Sequence, residues 1–496
     1  MSIIGFSAGF HDAGMAVVNY NGDILFAGHS ERYSKLKHDS DLCPDIVSEA
    51  LRAANEVDTI AYYEKPFAKW TRQLMARQNP GLPRTTRSIV KKQFGEYYPS
   101  IKNATVKSYG HHLAHAAAGF QTSPFNDAVI VVIDAIGEWD TISIWEANYT
   151  DKGVAQYKKL YTQKYPHSIG LMYSAFTEKV GLRPMDEEYI LMGMAAYGSD
   201  KNAGAIHNAV LNDVNHLTFN DNLHAGIDLP ILDTMSDYDI AACAQTIVEE
   251  LIFTVINKAR QLSKNKNLVY CGGVALNCSA NRLLGLHYKN IWIMPNPGDA
   301  GSALGAAALA YGKKLNWTTA FLGARIGGKY PVQQLIKELL TSRIVGVASG
   351  KAEFGPRSLG NRSLLADPRG NDIKDLVNTI KKRQKFRPFA PVILEEHVSQ
   401  YFNMPANWHT SPYMQVTARC IDPTLFPAIV HKDGTSRVQT VPNDGSGIRL
   451  LLEEWYKQTG CPMLLNTSLN VRGEPMVNDV EDAHRFTQLY GVPVYS

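Results

Sequence analysis

The chain has no CxxC pair, no long apolar run and almost no net charge, and each absence removes a class of answer. Cys43, Cys243, Cys271, Cys278, Cys420 and Cys461 are scattered singly, which is no disulfide framework. They read as reduced thiols in a cytoplasmic protein. The most apolar helical stretch, near Ser302 to Ala310, is too short and too Ala-rich to span a membrane. The opening MSIIGFSAGFHDAG lacks a basic region followed by a long apolar core, so no signal peptide is expected. A net charge of +3 is too small to imply a nucleic-acid or membrane partner. What is present is ordinary for a globular protein: 496 residues, 45% hydrophobic and 20% charged, enough for two or three domains with full cores.

Two segments read as versions of one unit. The first is IIGFSA, a polar loop GFHDAG, MAVVNY, an Asn21-Gly22 turn and ILFAGH. The second is AVIVVIDA, a loop IGEWD, TISIWEA, a turn containing Asp151-Lys152-Gly153, and VAQYKKLY. Each predicts strand, tight loop, strand, turn, strand. Asn-Gly predicts a type I′ hairpin, in which both central residues take positive φ. Helical patterns follow each unit, at Asp45 to Asn55, His112 to Gly119 and Asp239 to Lys264. The duplication predicts a two-lobed α/β fold of the actin-like kind, with a cleft between the lobes.

A third apolar strand, LVYCGGVALN, ends in Gly272-Gly273 before a helix. Glycines and a helix N-terminus suit a phosphate, and they equally suit a turn that needs glycine for geometry alone. Composition changes around 312–342, where GKKLNWTTAFLGARIGGKYP lacks periodicity. A boundary around 320–342 leaves a first domain over 1–330 and a smaller α/β domain over 340–496.

Chemistry-bearing residues cluster in both parts. His111 and His115 in GHHLAHAAAGF are four apart; on a helix they share a face, roughly 6 Å apart at Cβ, and can reach one cation. His112 then points elsewhere. Asp134 ends VIVVID, and Asp299 in PNPGDAGSALG precedes a helix. A His2Asp2 set suits Fe(II), Mn(II) or Zn(II) without choosing among them. The alternative is histidines that cap or pack within a core. His11-Asp12 in the first hairpin loop could activate a hydroxyl, or simply form an Asx turn; spacing alone favours the turn. In the second part, GKAEFGPRSLGNRSLL carries Glu353, Arg357 and Arg362, KKRQKFRPFAP carries Lys381, Arg383 and Arg387, and LLNTSLNVRGEP carries Ser468, Asn470 and Arg472. So many cations on Gly- and Pro-bounded segments suit a polyanionic ligand, against separate surface salt bridges.

These stretches, taken with SERYSKLKHD, PHSIGLMYSAF, EYILMGMAAYG and KDGTSRVQTV, in this order, are specific as a set. The chain resembles the O-carbamoyltransferases of nodulation-factor synthesis and antibiotic tailoring over essentially its whole length. The resemblance implies a first domain similar to the transferase that makes threonylcarbamoyl-adenosine in tRNA, and a second similar to threonylcarbamoyl-AMP synthase. The latter fold is marked by Lys-x-Arg and Ser-x-Asn, matched by Lys381-Lys382-Arg383 and Ser468-Leu469-Asn470. By position, the family's metal set falls on His111, His115, Asp134 and Asp299, with Fe(II) implied.

The resemblance also implies a two-step reaction. The second domain would make carbamoyl-AMP from carbamoyl phosphate and ATP, with Mg(II) accompanying the nucleotide. There Arg357, Lys381 and Arg383 would meet phosphates, and Ser468 and Asn470 would hold the carbamoyl group and nucleotide. The intermediate would pass internally to the first domain, where Gly272, Gly273 and Asn277 would line the nucleotide. His11 would be the base for an acceptor hydroxyl, oriented by Asp12. A small-molecule acceptor (sugar, antibiotic or nucleotide) is expected, without nucleic acid or membrane; a homodimer is left open. The sequence departs from the pattern at Ile190, where relatives usually carry Lys, and at Ala196, where they often carry Pro. Relatives also commonly continue beyond Tyr495-Ser496 through a final strand, so a trimmed tail is expected. The rivals are a tRNA-modifying transferase, which needs salt-dependent RNA affinity, an actin-like ATPase or kinase, which releases ADP, and a non-catalytic scaffold.

Overall fold

The computed structural model describes residues 1–496. Two compact units divide the chain: 1–34, 38–276 and 286–319 form the first, and 35–37, 277–285 and 320–496 form the second. No helix is long and apolar enough to cross a membrane.

In the first unit the duplicated pattern becomes two five-stranded sheets of one topology. Strands β1 (Ser2–Ser7), β2 (Gly14–Asn19), β3 (Ile24–His29), β4 (Val57–Tyr62) and β5 (Thr105–Ser108) lie in the order β3-β2-β1-β4-β5. The three leading strands form an antiparallel meander, and β1, β4 and β5 run parallel. Strands β6 (Asp127–Ile133), β7 (Asp140–Tyr149), β8 (Ala155–Lys164), β9 (Asn267–Cys271) and β10 (Asn290–Trp292) repeat this as β8-β7-β6-β9-β10, with the same directions. This is the actin-like duplication. The central strands are covered on both faces, which is why SIIGFS and AVIVVI read as continuous apolar runs rather than alternating ones.

The first hairpin corrects one expectation. Only Gly22 takes positive φ, at +88°, so the Asn21-Gly22 turn is not type I′. Asn19 decides this locally. Its side-chain oxygen accepts the N–H groups of Asn21 and Asp23, both at 2.9 Å, while Gly22 N–H closes the turn on the Asn19 carbonyl.

Equivalent helices follow the fifth strand of each repeat: His111–Thr122 after β5 and Asp299–Tyr311 after β10. Both are almost wholly buried, so their polar residues at the N-terminal turns stand out against Ala-rich bodies. The two helices pack directly on each other. A Cβ on Gly305 would lie 1.9 Å from the Ala114 carbonyl, and one on Gly5 of β1 would lie 2.0 Å from the Ala303 carbonyl. Glycine is required here by close backbone approach, which holds both helix N-termini in register.

The second unit centres on a six-stranded mixed sheet. Its strands are β11 (Ile344–Ala348), β12 (Arg362–Ala366), β13 (Ala390–Leu394), β14 (Gln439–Val441), β15 (Met463–Ser468) and β16 (Val494–Tyr495), in the order β14-β13-β15-β12-β11-β16. Helices Val332–Ser342, Ile373–Ile380, Gly447–Thr459 and Val480–Tyr490 bury Leu335, Leu339, Val377, Leu451, Leu452, Trp455 and Phe486 in its core.

Candidate metal centre and anion site

Four side chains converge at the N-terminal ends of the paired helices in the first unit. His111 Nε2 lies 3.0 Å from Asp134 Oδ2, 3.4 Å from Asp299 Oδ1 and 3.0 Å from His115 Nε2. His115 Nε2 lies 3.6 Å from Asp134 Oδ2 and 3.3 Å from Asp299 Oδ1. All four residues are buried. Four N and O ligands placed tetrahedrally at metal-bond length would stand roughly 3.4 Å from one another. The observed separations of 3.0–3.6 Å are close to this, with the two imidazole Nε2 atoms facing each other at 3.0 Å. The donor set therefore fits a divalent first-row metal.

Three of the four turn a second atom to a group of the fold. Ser302, one turn along the Asp299 helix, sits with Oγ 2.9 Å from His115 Nδ1. Gly273 N–H donates to Asp134 Oδ1 at 3.1 Å. Glu64 Oε1 lies 3.4 Å from His111 Nδ1, and its other oxygen accepts from Lys69 Nζ at 2.8 Å. Glu138 caps the histidine helix by accepting His111 N–H. Burial opposes charge on His111, yet Asp299 and the contacts with Asp134 and Glu64 outweigh it and hold its pKa well above the usual value. His115 is raised in the same way, with burial opposed by Asp134 and Asp299. His112 points away to Ser143 Oγ at 2.8 Å; burial and the neighbouring His111 push it down to about 3, so it is neutral.

His11 and Asp12 do pair: Nδ1 and Oδ2 are 2.9 Å apart. Burial lowers the His11 pKa, but the Asp12 bond and the charges of Asp299, Asp12 and Asp134 bring it up to about 9. Asp12 sits at φ +52° and spends its other oxygen on His38 Nδ1 at 2.6 Å; His38 Nε2 reaches Asp186 Oδ1 at 2.8 Å. His38 and Asp186 escaped the sequence reading, although His38 stands in the quoted SERYSKLKHD and Asp186 lies two residues before EYILMG. Nothing in their spacing announces a partnership across 148 residues.

The glycines after β9 serve the centre. Gly272 takes φ +91°, and a Cβ there would lie 2.1 Å from the Ile133 carbonyl. Its N–H donates to the Pro297 carbonyl, as Gly273 N–H does to Asp134. A nucleotide here would meet their Cα faces rather than those N–H groups. Asn277 belongs to the second unit, where its side chain caps a short helix by accepting Ala280 N–H at 3.0 Å. Ile190 is buried, at 1% exposure.

In the second unit, Lys381 ends the Ile373–Ile380 helix and is buried without a carboxylate. Its Nζ donates to the Ser468 carbonyl and Oγ and, at 2.9 Å each, to the carbonyl and Oδ1 of Asn470. Burial, then the charges of Arg383 and Arg387, pull its pKa well below the ordinary lysine value. Arg383 donates to Asn378 Oδ1 at 2.6 Å and lies over the Phe389 ring at 4.1 Å. Asn378, missed from sequence, also ties down the Lys385 and Arg387 carbonyls and so shapes the cationic loop. Arg357 is half-buried on the loop before β12.

Arg362 and Glu353 correct the reading of their segment as a ligand site. Arg362 is wholly buried, and its guanidinium donates to the carbonyls of Asn478, Ser349, Asn361 and Ala324. Glu353 Oε1 accepts the N–H groups of Leu359, Asn361 and Arg362. Both are spent on backbone that would otherwise be buried unpaired.

The family described as Carbamoyltransferase N-terminus matches residues 2–308, and that described as Carbamoyltransferase C-terminus matches 336–494. An uncharacterised protein of Synechocystis is 32% identical over 97% of this chain and 93% of its own length. Nodulation protein NolNO of Sinorhizobium fredii is 29% identical, covering 95% of this chain and 76% of the relative. The 3′-hydroxymethylcephem-O-carbamoyltransferase of Amycolatopsis lactamdurans is 26% identical, covering 99% and 97%. Among solved structures, HypF of T. kodakarensis aligns at TM-score 0.35 and 14% identity, covering 62% of this chain and 48% of that one.

Proposed function

The chain belongs to the carbamoyltransferase family, and we propose that it is an ATP-dependent O-carbamoyltransferase acting on a hydroxyl of a small-molecule acceptor. The observation that carries this reading is the convergence of His111, His115, Asp134 and Asp299 donor atoms at 3.0–3.6 Å, beside the His11–Asp12 pair. The relative named for cephem O-carbamoylation supports a hydroxyl acceptor.

The reaction balances in three steps. Carbamoyl phosphate and water give carbamate and phosphate. The carbamate oxygen attacks the α-phosphorus of ATP and pyrophosphate leaves, giving carbamoyl-AMP. The acceptor hydroxyl oxygen then attacks the carbamoyl carbon, and its bond to the AMP phosphate breaks. In the second unit Lys381, Arg383 and Arg357 neutralise phosphate charge, while Ser468 and Asn470 hold the carbamoyl and nucleotide groups. Lys381 suits this role because its partners are neutral oxygens, so a phosphate would bring the anion that favours its charged form.

In the first unit Asp12 holds His11 Nδ1, which fixes that nitrogen as the protonated one and turns Nε2 to the acceptor hydroxyl. His11 then takes the hydroxyl proton as the C–O bond forms. A divalent cation held by His111, His115, Asp134 and Asp299 would supply Lewis acidity to the adenylate phosphate and offset two of the charges that raise His11. Gly272 and Gly273 line the nucleotide.

The test is product analysis with ATP, carbamoyl phosphate and a mixed library of hydroxylated acceptors. Pyrophosphate and AMP should appear only when both substrates are present, and one acceptor should gain a carbamoyl mass. Release of ADP instead would replace this reading with a kinase or ATPase.

A further inference from the structure

We propose that Glu64 is a positioning residue for the metal centre, fixing the tautomer of His111 and thereby setting how tightly the four-residue set binds its cation. This inference rests on the metal reading above.

A neutral imidazole carries one N–H, and which nitrogen bears it decides whether the other can bind a metal. His111 must keep Nε2 bare, because Nε2 is the atom that faces Asp134, Asp299 and His115. Its Nδ1 is buried and makes no hydrogen bond of normal length. The group facing it is Glu64 Oε1, at 3.4 Å. A proton on Nδ1 therefore faces a carboxylate oxygen, which leaves Nε2 as the bare nitrogen.

Glu64 is built to do nothing else. It stands two residues after the end of β4 and is 3% exposed. Lys69 on the helix Pro66–Met75 takes Oε2 at 2.8 Å, which aims Oε1 at the imidazole. Tyr62 OH donates to the Ala8 carbonyl at 2.8 Å and lies 3.4 Å from Oε2, closing the other side. The two histidines are thus served unequally. His115 Nδ1 meets a hydroxyl from Ser302, whereas His111 Nδ1 meets a carboxylate. A carboxylate behind a ligating imidazole raises its basicity, and losing such a partner costs about 10- to 100-fold in metal affinity.

The experiment is Zn(II) and Co(II) binding by chelator competition on the full chain, with the Co(II) visible spectrum as a second readout. Glu64→Gln, which keeps an acceptor oxygen but loses charge, should weaken binding about 10-fold; Glu64→Ala should weaken it up to about 100-fold. Both should shift the Co(II) bands. Lys69→Met, at the rim, should give a smaller loss in the same direction, and serves if the Glu64 variants do not fold. Metal-free variants should keep a cooperative unfolding transition, lowered by loss of the Glu64–Lys69 pair, so that affinity is read on a folded chain. Affinities within twofold of wild type in Glu64→Gln, or in Lys69→Met where it stands alone, overturn the proposal. His111→Ala separates the two ideas. If it loses metal while Glu64→Gln does not, only the role of Glu64 falls; if wild type binds no metal, the centre itself falls.

Discussion

The first unit gathers anions around imidazoles, and the second gathers cations around neutral oxygens. In the first, Asp134 and Asp299 face His111 and His115 with no lysine or arginine among the four. In the second, Lys381 is buried among carbonyl, hydroxyl and amide oxygens, with Arg383 and Arg387 raising the local positive potential. Each site shifts its ionisable groups from their usual protonation, the imidazoles upward and the lysine downward, and a ligand of the right sign would restore it. On the proposed reading the contrast matches ligand to site: a cation in the first unit, a polyanion in the second.

The strongest way to break the comparison is to delete one charge from each site and follow both half-reactions. His111→Ala should lower carbamoyl transfer at least about 100-fold, since Lewis-acid stabilisation is worth several kcal/mol. Pyrophosphate release should stay within about twofold of wild type on that view. Arg383→Ala should do the reverse, cutting pyrophosphate release about 10- to 100-fold for one lost charge-assisted contact. Equal loss of pyrophosphate release in both variants would erase the division of labour.

A smaller effect sharpens how the first site is built. Gly305→Ala puts a methyl where the Ala114 carbonyl already stands, 1.9 Å away, so the helices carrying His111, His115 and Asp299 must separate. Overpacking of this kind costs about 1–3 kcal/mol. Thermal unfolding should record that loss, and Zn(II) affinity should fall with it, while ATP binding stays unchanged. Unaltered metal affinity would show that the helix crossing does not hold the ligands in place.

Legibility in the sequence followed locality. The doubled strand–loop–strand pattern was readable because its turn signals and apolar runs are local, and both sheets take the topology it implies. His111 and His115 were readable because helical spacing is itself geometry. Asp134 and Asp299 were readable because each stands at the edge of an apolar element. Glu64, His38, Asp186 and Asn378 were not, because their partners arrive from elsewhere in the chain and only tertiary packing declares them. Arg362 misled for a related reason: an arginine among glycines looks the same whether it faces a phosphate or, as here, carbonyls of its own fold. The Asn21-Gly22 turn misled because Asn19, two residues before it, overrides the preference of the pair.

The smallest effect is a matter of protons, and its sign differs between the two sites. Lys381 has its pKa lowered in the fold, by burial first and then by Arg383 and Arg387. Between that lowered value and the ordinary 10.5, the unfolded chain binds more protons than the folded one. Stability contributed through this residue therefore rises with pH across that window and is lost as pH falls below it. Lys381→Met should flatten the rise in unfolding free energy between neutral pH and about pH 10. A bound polyanion favours charged Lys381, so ATP binding in this window should take up a proton, at most about one per chain. Metal binding in the first unit should release protons instead, because imidazole ligands bind in the neutral form. Titration calorimetry in buffers of different ionisation enthalpy reads both signs. Proton uptake with ATP that persists in Lys381→Met would assign it to another group, and uptake of the same sign with Zn(II) would remove the contrast between the two sites.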